Sequence, residues 1–194
     1  AMGGKALLVG GCIRDTVINK ECPELHLKPK DFDLEVYGIP SNTLHLILER
    51  RFGKDLDLTG KKFSIYKVNT GETDVDLSVP RRDSKVAEGS KGFIVTGDPA
   101  MTIPEAALRR DLTINSMAYD PLTKKLYDPY GAIEDIKNKV IRATDAEHFT
   151  EDPVRVLRIM QFLARFDFNI EEKTADLCKT MIERGDLDHE PWER

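Results

Sequence analysis

The chain has 194 residues, which is enough for one ordinary domain or for one domain and part of a second. Apolar residues make up 40% of it and charged residues 32%, a composition that allows a sizeable core and excludes wholesale disorder. The formal net charge of −5 argues against a nucleic-acid coat protein, but it is compatible with a site in which carboxylates hold metal ions.

Hydropathy and cysteine usage favour a cytoplasmic protein with no membrane contact. No apolar run approaches the roughly 18 residues of a membrane-spanning helix, and no signal-like apolar segment opens the chain. The three cysteines are odd in number and widely spaced, which favours reduced, structural thiols over disulfides or a zinc site. Residues 1–2 are interpreted as a tag remnant and a start methionine.

The first predicted elements are a strand, a glycine turn and a helix. Residues 5–9 (KALLV) are typical of a short buried strand, Gly10 and Gly11 follow, and helical spacing begins at Cys12. This order turns backbone N–H groups towards a phosphate, although two glycines alone are weak evidence, since most such turns are only turns.

A loop, a strand and a helix are predicted next. Residues 19–30 are polar with two prolines and indicate a loop, and the alternation in residues 31–37 (DFDLEVY) predicts a half-buried strand. A turn then leads to a helix around residues 44–48, with Ser41 or Asn42 as its N-terminal cap.

The middle of the chain predicts a hairpin, a loop and a helix. Strands over residues 63–69 and 73–79 are expected to pair through a turn at Gly71. Residues 83–104 contain Gly, Lys and Pro with little periodicity, so we expect a mobile loop there. A helix is predicted over residues 104–115, with the proline near its first turn.

The remainder is predicted to be mostly helical. Short strands near residues 116–119 and 124–127 precede a short helix over residues 132–137, and clear helices follow over residues 151–166 and 171–184. Strands first and helices afterwards predict an α+β head joined to a helical piece.

Two pairs of acidic residues suggest a metal site. Asp31 and Asp33 are two residues apart on a predicted strand, so both carboxylates leave the same face, and Asp74 and Asp76 repeat this spacing on a later strand. Carboxylates on adjacent strands can hold two Mg²⁺ ions, one at an attacking hydroxyl and one at a leaving phosphate oxygen. The alternative is a solvated strand face, but no lysine or arginine alternates with Asp31 and Asp33 as such a face usually shows.

Four motifs follow one another along the chain: residues 10–15 (GGCIRD) with residues 31–33 (DFD), residues 109–118 (RRDLTINSMA), residues 128–136 (DPYGAIEDI) running on to residue 142, and residues 151–158 (EDPVRVLR). In this order they resemble the motifs of the class II tRNA nucleotidyltransferases and bacterial poly(A) polymerases, and the resemblance covers residues 5–190.

The resemblance implies a fold and an activity. Residues 1–142 would form a polymerase-β-like nucleotidyltransferase head with a mixed β-sheet flanked by helices, and residues 143–194 a truncated, all-α neck. The body and tail domains of the family, which hold tRNA, would be missing from this chain. The implied reaction is template-independent addition of CMP and AMP from CTP and ATP to the 3′ end of tRNA, with release of pyrophosphate.

The resemblance also implies the site residues. Asp31 and Asp33 would bind two Mg²⁺ ions, and Asp76, with Asp74 as the fallback, would be the third catalytic carboxylate. The nucleotide-binding residues would be Gly10, Gly11 and Arg14 at the triphosphate, Arg110, Asp111 and Asn115 at the ribose, and Asp152, Arg155 and Arg158 in the fourth motif.

The fourth motif has a physical interpretation of its own. At about 100° per residue, Arg155, Arg158 and Arg165 share one side of a helix that begins near Asp152. A carboxylate accepts a hydrogen bond from the amino group of cytosine or adenine, and an arginine donates to the adjacent ring nitrogen, whereas uracil and guanine present a carbonyl oxygen instead. A solvated basic stripe is the alternative. The core-facing side is expected to hold Val156, Ile159, Met160, Leu163 and Ala164.

Other functions share parts of this pattern. A poly(A) polymerase, or an enzyme that adds only CC or only A, uses the same motifs. A small-molecule nucleotidyltransferase shares the glycines and the Asp-x-Asp pair but does not need the fourth motif. A non-catalytic RNA-binding module could keep the fold, but it would not need the acidic residues.

Overall fold

The computed structural model describes residues 3–57, 65–71, 73–85 and 93–188. The strands within these ranges are β1 (Lys5–Val9), β2 (Phe32–Tyr37), β3 (Leu56–Asp57), β4 (Ile65–Asn69), β5 (Asp74–Ser78), β6 (Arg81–Lys85), β7 (Phe93–Gly97), β8 (Ala118–Asp120), β9 (Lys125–Tyr127), β10 (Val140–Ile141) and β11 (Asn169–Ile170). The α-helices are α1 (Gly11–Glu21), α2 (Ser41–Phe52), α3 (Ile103–Leu108), α4 (Ala132–Lys137), α5 (Ala146–Glu151), α6 (Val154–Phe166) and α7 (Glu172–Glu183).

Seven strands form one mixed sheet in the order β3–β4–β5–β2–β1–β8–β9. β2 and β5 are parallel, and the other neighbouring pairs in this sheet are antiparallel. Strands dominate the first half of the described chain and helices the end of it. The α+β class predicted from the sequence is therefore confirmed.

The strand register places acidic residues at one edge of the sheet. Val9, at the end of β1, pairs with Asp33 on β2, and Asp33 pairs with Asp76 on β5. Val9 itself is buried in the core, and Gly10, with a φ of +72°, follows it directly. The turn from β1 into α1 starts at the same place.

Several predicted elements are confirmed. The strand over residues 5–9 and the helix over residues 132–137 have the predicted bounds. β4 and β5 form the predicted antiparallel hairpin around Gly71, where φ is +88°. Residues 63–64, which were included in the first of these strands, lie outside the described residues.

The predicted loop over residues 19–30 is wrong at its start. α1 continues to Glu21, and a 3₁₀ turn follows over Pro23–Leu25. Ile18 and Cys22 are four residues apart and almost completely buried, so packing against the core holds the end of this helix.

The predicted cap of α2 is also wrong. The helix begins at Ser41, the cap position is Pro40, and no side chain caps it. The hydroxyl of Ser41 lies 2.9 Å from the hydroxyl of Tyr66 on β4, so it is used in a tertiary hydrogen bond.

The segment predicted as a mobile loop, residues 83–104, contains a strand pair and a helix start. β6 and β7 pair as antiparallel strands from Arg81↔Gly97 to Lys85↔Phe93. Residues 93–97 (FIVTG) are rich in the β-branched and aromatic types that favour strands. Residues 86–92 lie outside the described residues.

Two predicted helices are shorter than expected. The helix predicted over residues 104–115 ends at Leu108, because Leu112 has an extended backbone, and Thr113–Asn115 form a 3₁₀ turn. The helix predicted over residues 151–166 begins at Val154, because Asp152 precedes a proline and has an extended backbone.

The buried side of α6 differs from the prediction. Val156, Ile159 and Leu163 do pack in the core, but Met160 is 53% exposed and Ala164 is also exposed. Phe162 and Phe166 are buried instead. The buried side is shifted because the arginine side of the helix faces the rest of the protein and not solvent. Arg158 and Arg165 donate hydrogen bonds to Asp111 and Asp15 there.

One hydrophobic core joins the first 142 residues to the helices that follow. It includes Ile18, Leu112 and Ile136 before this point and Phe149, Phe162 and Met181 after it. None of the helices described by the structure is long and apolar enough to cross a membrane.

Candidate functional site

A cleft of about 570 Å³ lies between the edge of the sheet and the beginning of α6. Its walls come from β1, β2 and β5, from the start of α1, from the segment after α3, and from α5 and α6. Eleven of the twelve site residues predicted from the sequence line it: Gly10, Gly11, Arg14, Asp33, Asp76, Arg110, Asp111, Asn115, Asp152, Arg155 and Arg158.

Asp33 and Asp76 form the acidic centre of the cleft. As register partners on parallel strands, they direct their carboxylates to the same face. Burial raises the pKa of Asp33 above its ordinary value, the charge of Asp76 raises it further, and Arg110 opposes the rise. Oδ1 of Asp76 is buried and accepts no hydrogen bond, although the Lys67 ammonium lies 3.7 Å away. This pair fits a hard cation such as Mg²⁺, which takes one or two carboxylates together with phosphate oxygens and water.

The prediction that Asp31 lies on the same strand as Asp33 is wrong, since β2 begins after Asp31. Asp31 has a φ of +53°, in the left-handed region that aspartate tolerates, and it does not line the cleft. Asp74 is exposed and accepts a hydrogen bond from Asn69 at 2.9 Å. No three His, Cys, Asp or Glu side chains are grouped for a metal in the described ranges. This geometry favours Asp76 over Asp74, and the metal-binding role of Asp31 stays a prediction.

Gly10 and Gly11 join β1 to α1 at the cleft. Gly10 has a φ of +72°, and a Cβ atom there would lie 3.1 Å from Oδ2 of Asp33 and 3.5 Å from Nη1 of Arg110. Because α1 begins at Gly11, its first backbone N–H groups have no partner within the helix. The turn therefore offers both the close backbone approach and the N–H donors that bind a phosphate.

Arg14 lines the cleft but is only 6% exposed. Its Nε donates to Oδ1 of Asp15 at 2.7 Å, and its Nη1 donates to Oδ1 of Asn115 at 2.8 Å. The guanidinium also lies over the ring of Phe162, 4.9 Å from its centroid. The aromatic partner was missed because no local spacing links residues so distant in the chain.

Asp111 and Asn115 link the segment after α3 to α6. Oδ1 of Asp111 accepts a hydrogen bond from Nδ2 of Asn115 at 2.8 Å, and its Oδ2 accepts one from Nε of Arg158 at 2.6 Å. Asp111 and Asn115 are both buried. The second and fourth motifs are thus joined directly, which their separation in the sequence did not reveal.

Glu35 was not predicted as a site residue, although it continues the two-residue spacing of Asp33. It lines the cleft, and its Oε1 lies 3.6 Å from Nη2 of Arg110. The hydroxyl of Tyr37 donates to Oε2 of Glu35, and burial together with the Glu35 charge raises the pKa of Tyr37. Glu35 therefore holds Arg110 at the floor of the cleft.

Asp152 and Arg155 line the wall that α5 and α6 form. Oδ1 of Asp152 accepts the backbone N–H of Val154 at 3.1 Å, close to the start of α6. Arg155 donates to the carbonyl oxygens of His148 and Arg109 at 2.7 and 2.8 Å. Burial lowers the pKa of Arg155. A carboxylate has about four acceptor positions and a guanidinium five N–H donors, so both side chains retain capacity for a ligand.

Two further arginines of the cleft, Arg81 and Arg109, were missed by the sequence analysis as site residues. Burial lowers the pKa of both, and the neighbouring Arg81 charge helps to lower that of Arg109 to about 10. Arg109 also donates a hydrogen bond to the backbone carbonyl of Arg81. Positive charge gathered in a partly desolvated wall suits a polyanion such as a triphosphate.

A mixed sheet with paired acids and a glycine turn at its edge agrees with the nucleotidyltransferase head expected from the motifs. A family model described as the poly A polymerase head domain matches residues 6–142. The chain therefore belongs to the poly(A) polymerase head domain family.

Individual relatives cover nearly the whole chain. The multifunctional CCA protein of Aromatoleum aromaticum is 37% identical over 192 residues, which are 98% of this chain and 42% of that protein. The CCA-adding enzyme of Coxiella burnetii is 37% identical over 95% of this chain and 44% of its own length. A tRNA nucleotidyltransferase solved with a primer tRNA and an incoming ATP analog is 30% identical, has a TM-score of 0.75, and matches 98% of this chain and 50% of that one. The chain thus spans less than half the length of these curated relatives.

Proposed function

We propose that the chain is the catalytic head and the beginning of the neck of a CCA-adding tRNA nucleotidyltransferase. The observation that carries this proposal is the cleft, which gathers residues of the first, second and fourth motifs around one acidic pair. Family membership and the names of the relatives support it. In this proposal residues 1–142 are the head and residues 143–194 the start of the neck.

The substrates are CTP, ATP and the 3′ end of a tRNA. The 3′-hydroxyl attacks the α-phosphate in line, and pyrophosphate leaves. Gly10, Gly11 and Arg14 bind the triphosphate, and Arg110, Asp111 and Asn115 orient the ribose. Asp31 and Asp33 would hold Mg²⁺, with Asp76 as the third catalytic carboxylate, and the bound ions would stabilise negative charge on the reacting phosphate. We expect the reaction in the cytoplasm.

The protein itself selects the base. Asp152 accepts a hydrogen bond from the amino group of cytosine or adenine, and Arg155 donates to the neighbouring ring nitrogen. Uracil and guanine would place a carbonyl oxygen against the carboxylate, a mismatch of about 1–3 kcal/mol for each contact. Arg158 fixes Asp111 and thereby joins base selection to the ribose site.

A thermal-shift experiment tests nucleotide selection on this chain. Stabilisation by CTP, ATP, UTP and GTP with Mg²⁺ is compared between the natural protein, an Asp152→Ala, Arg155→Ala double variant, and the control Lys179→Ala on the exposed face of α7. Ligand linkage predicts shifts that grow with nucleotide concentration. Shifts for CTP and ATP only, lost in the double variant and kept in the control, are expected. Equal shifts for all four nucleotides, or none, would contradict the proposal.

A product-length assay separates CCA addition from the related activities. The full-length protein is incubated with CTP, ATP and three tRNAs, which lack the terminal A, the terminal CA or the whole CCA end. We expect each substrate to be extended to CCA and no further. A long adenylate tail would identify a poly(A) polymerase, and addition of only CC or only A would identify a partial enzyme.

A further inference from the structure

The arginine side of α6 is attached to the head at two points. Arg158 donates from Nε to Oδ2 of Asp111 at 2.6 Å, and Arg165 donates from Nη2 to Oδ2 of Asp15 at 2.7 Å. Asp111 and Asp15 are 7% and 3% exposed, so both acceptors are buried between the head and the helix. α6 is therefore held by two charged hydrogen bonds and not by apolar packing alone.

The spacing of these contacts determines what they can do mechanically. Arg158 and Arg165 are seven residues apart, which places them on one side of the helix and about 10 Å apart along its axis. A single charged contact would leave the direction and rotation of the helix to its apolar packing, whereas two contacts also constrain both. Arg155 and Asp152 lie beyond the first contact, where a pivot would displace them.

Further contacts join the distant anchor to the cleft. Oδ1 of Asp15 accepts a hydrogen bond from Arg14 at 2.7 Å. The guanidinium groups of Arg14 and Arg158 lie 4.9 and 5.4 Å from the centroid of the Phe162 ring, which both of them contact. The Arg165–Asp15 pair is thus continuous with the wall of the site.

We infer that Arg165 is a positioning residue for base selection: through Asp15 it holds α6 in the orientation that directs Asp152 and Arg155 at the base. This inference rests on the proposed function. Arg165 does not line the cleft, and ten residues of helix separate it from Arg155 by about 15 Å. It therefore acts without touching the nucleotide.

We expect the loss of the Arg165–Asp15 contact to reduce selectivity for CTP over UTP more than it reduces the rate of nucleotide transfer. A displacement of about 1 Å at a positioned group can cost about a hundredfold in rate. The acidic pair on β2 and β5 does not depend on α6 for its position, because the sheet register sets it. Loss of the distant anchor should therefore affect the base contacts most.

The test uses the full-length protein with Arg165→Gln, Arg165→Lys and the control Arg184→Gln, an exposed arginine paired with Asp186 near the end of α7. For each variant, kcat/KM is measured with CTP and with UTP on a tRNA that lacks CCA, together with the melting temperature. We expect Arg165→Gln to lower the CTP-to-UTP ratio at least about tenfold. Arg165→Lys, which keeps the charge, should restore most of the ratio, and the control should not change it.

The outcomes separate this inference from the proposed function. If the natural protein discriminates but Arg165→Gln keeps the same ratio, with activity intact or reduced equally for both nucleotides, the ion pair is only structural and the inference is overturned. If the unsubstituted protein does not incorporate CMP, the proposed function is contradicted, and the inference that rests on it is overturned as well.

Discussion

Gly10 combines two demands that no other residue type meets together. Its φ of +72° lies in the left-handed region, and the space beside its Cα is limited by Asp33 and Arg110. Gly131 has nearly the same φ, +74°, but an added Cβ would meet no atom within 4 Å. Their ψ angles differ, +30° at Gly131 and −140° at Gly10, so Gly10 combines a backbone conformation that favours glycine more strongly with crowding at the site.

We expect Gly10→Ala to destabilise the protein and to weaken nucleotide binding, whereas Gly131→Ala should only destabilise it. The left-handed conformation of Gly131 costs an L-residue about 1–2 kcal/mol. The conformation of Gly10 costs about 1–3 kcal/mol because it is sparsely populated by any residue but glycine, and only there must the Asp33 carboxylate move. Urea unfolding measures the first effect and the thermal shift with CTP and Mg²⁺ the second. Equal CTP shifts in the two variants would show that crowding at Gly10 is unimportant.

At this scale the sequence indicated most of the chemistry. The glycines and acids were found from their spacing and from the resemblance, because side chains two apart on a strand leave one face. Asp31 shows the limit of that argument, since the alternating pattern extends one residue beyond the strand itself. Glu35 was within reach of the same spacing and was overlooked.

For α6, the sequence predicted the position of the helix in the chain correctly but its buried side wrongly. The helical period was evident in the sequence, but the position of the buried arc depended on whether the arginines faced solvent or the head. Phe162 and Met160 are two residues apart, which turns them to different sides, and they are 3% and 53% exposed.

Truncating these two side chains should have very different effects on stability. Phe162→Ala removes a ring buried in the core and in contact with two guanidinium groups, so we expect the free energy of unfolding to fall by about 3–5 kcal/mol. Met160→Ala on the exposed side should change it by no more than about 0.5 kcal/mol. Urea denaturation of both variants measures the difference, and similar losses would show that the helix is rotated from the described orientation.

At the scale of the whole molecule, the residues before position 142 pack against the helices that follow it. The core contains residues of α1 and α4 together with residues of α5, α6 and α7, so the head and the following helices share one apolar interior. The ion pairs of Arg158 and Arg165 cross the same junction. A functional boundary at this point is compatible with a single unit of folding.

We expect a fragment of residues 1–142 to lack a cooperative unfolding transition, because its core would lose Phe149, Phe162 and Met181 to truncation. A fragment of residues 1–188, which keeps every described element, is the control and should unfold in one transition. Circular dichroism during heating and binding of a hydrophobic dye would measure this. A sharp transition in the shorter fragment would show that the head folds independently.

The sequence by itself determined the periods of most elements, because these depend on patterns within a few positions of the chain. Through the resemblance of its motifs it also indicated the fold class and eleven of the residues that line the cleft. It could not determine that Asp33 pairs with Asp76, that Arg14 lies on Phe162, or that α6 directs its arginines at Asp111 and Asp15. Those contacts join segments up to 150 residues apart. They form because burial and strand pairing act on the whole chain at once, and local spacing carries no information about which surfaces meet.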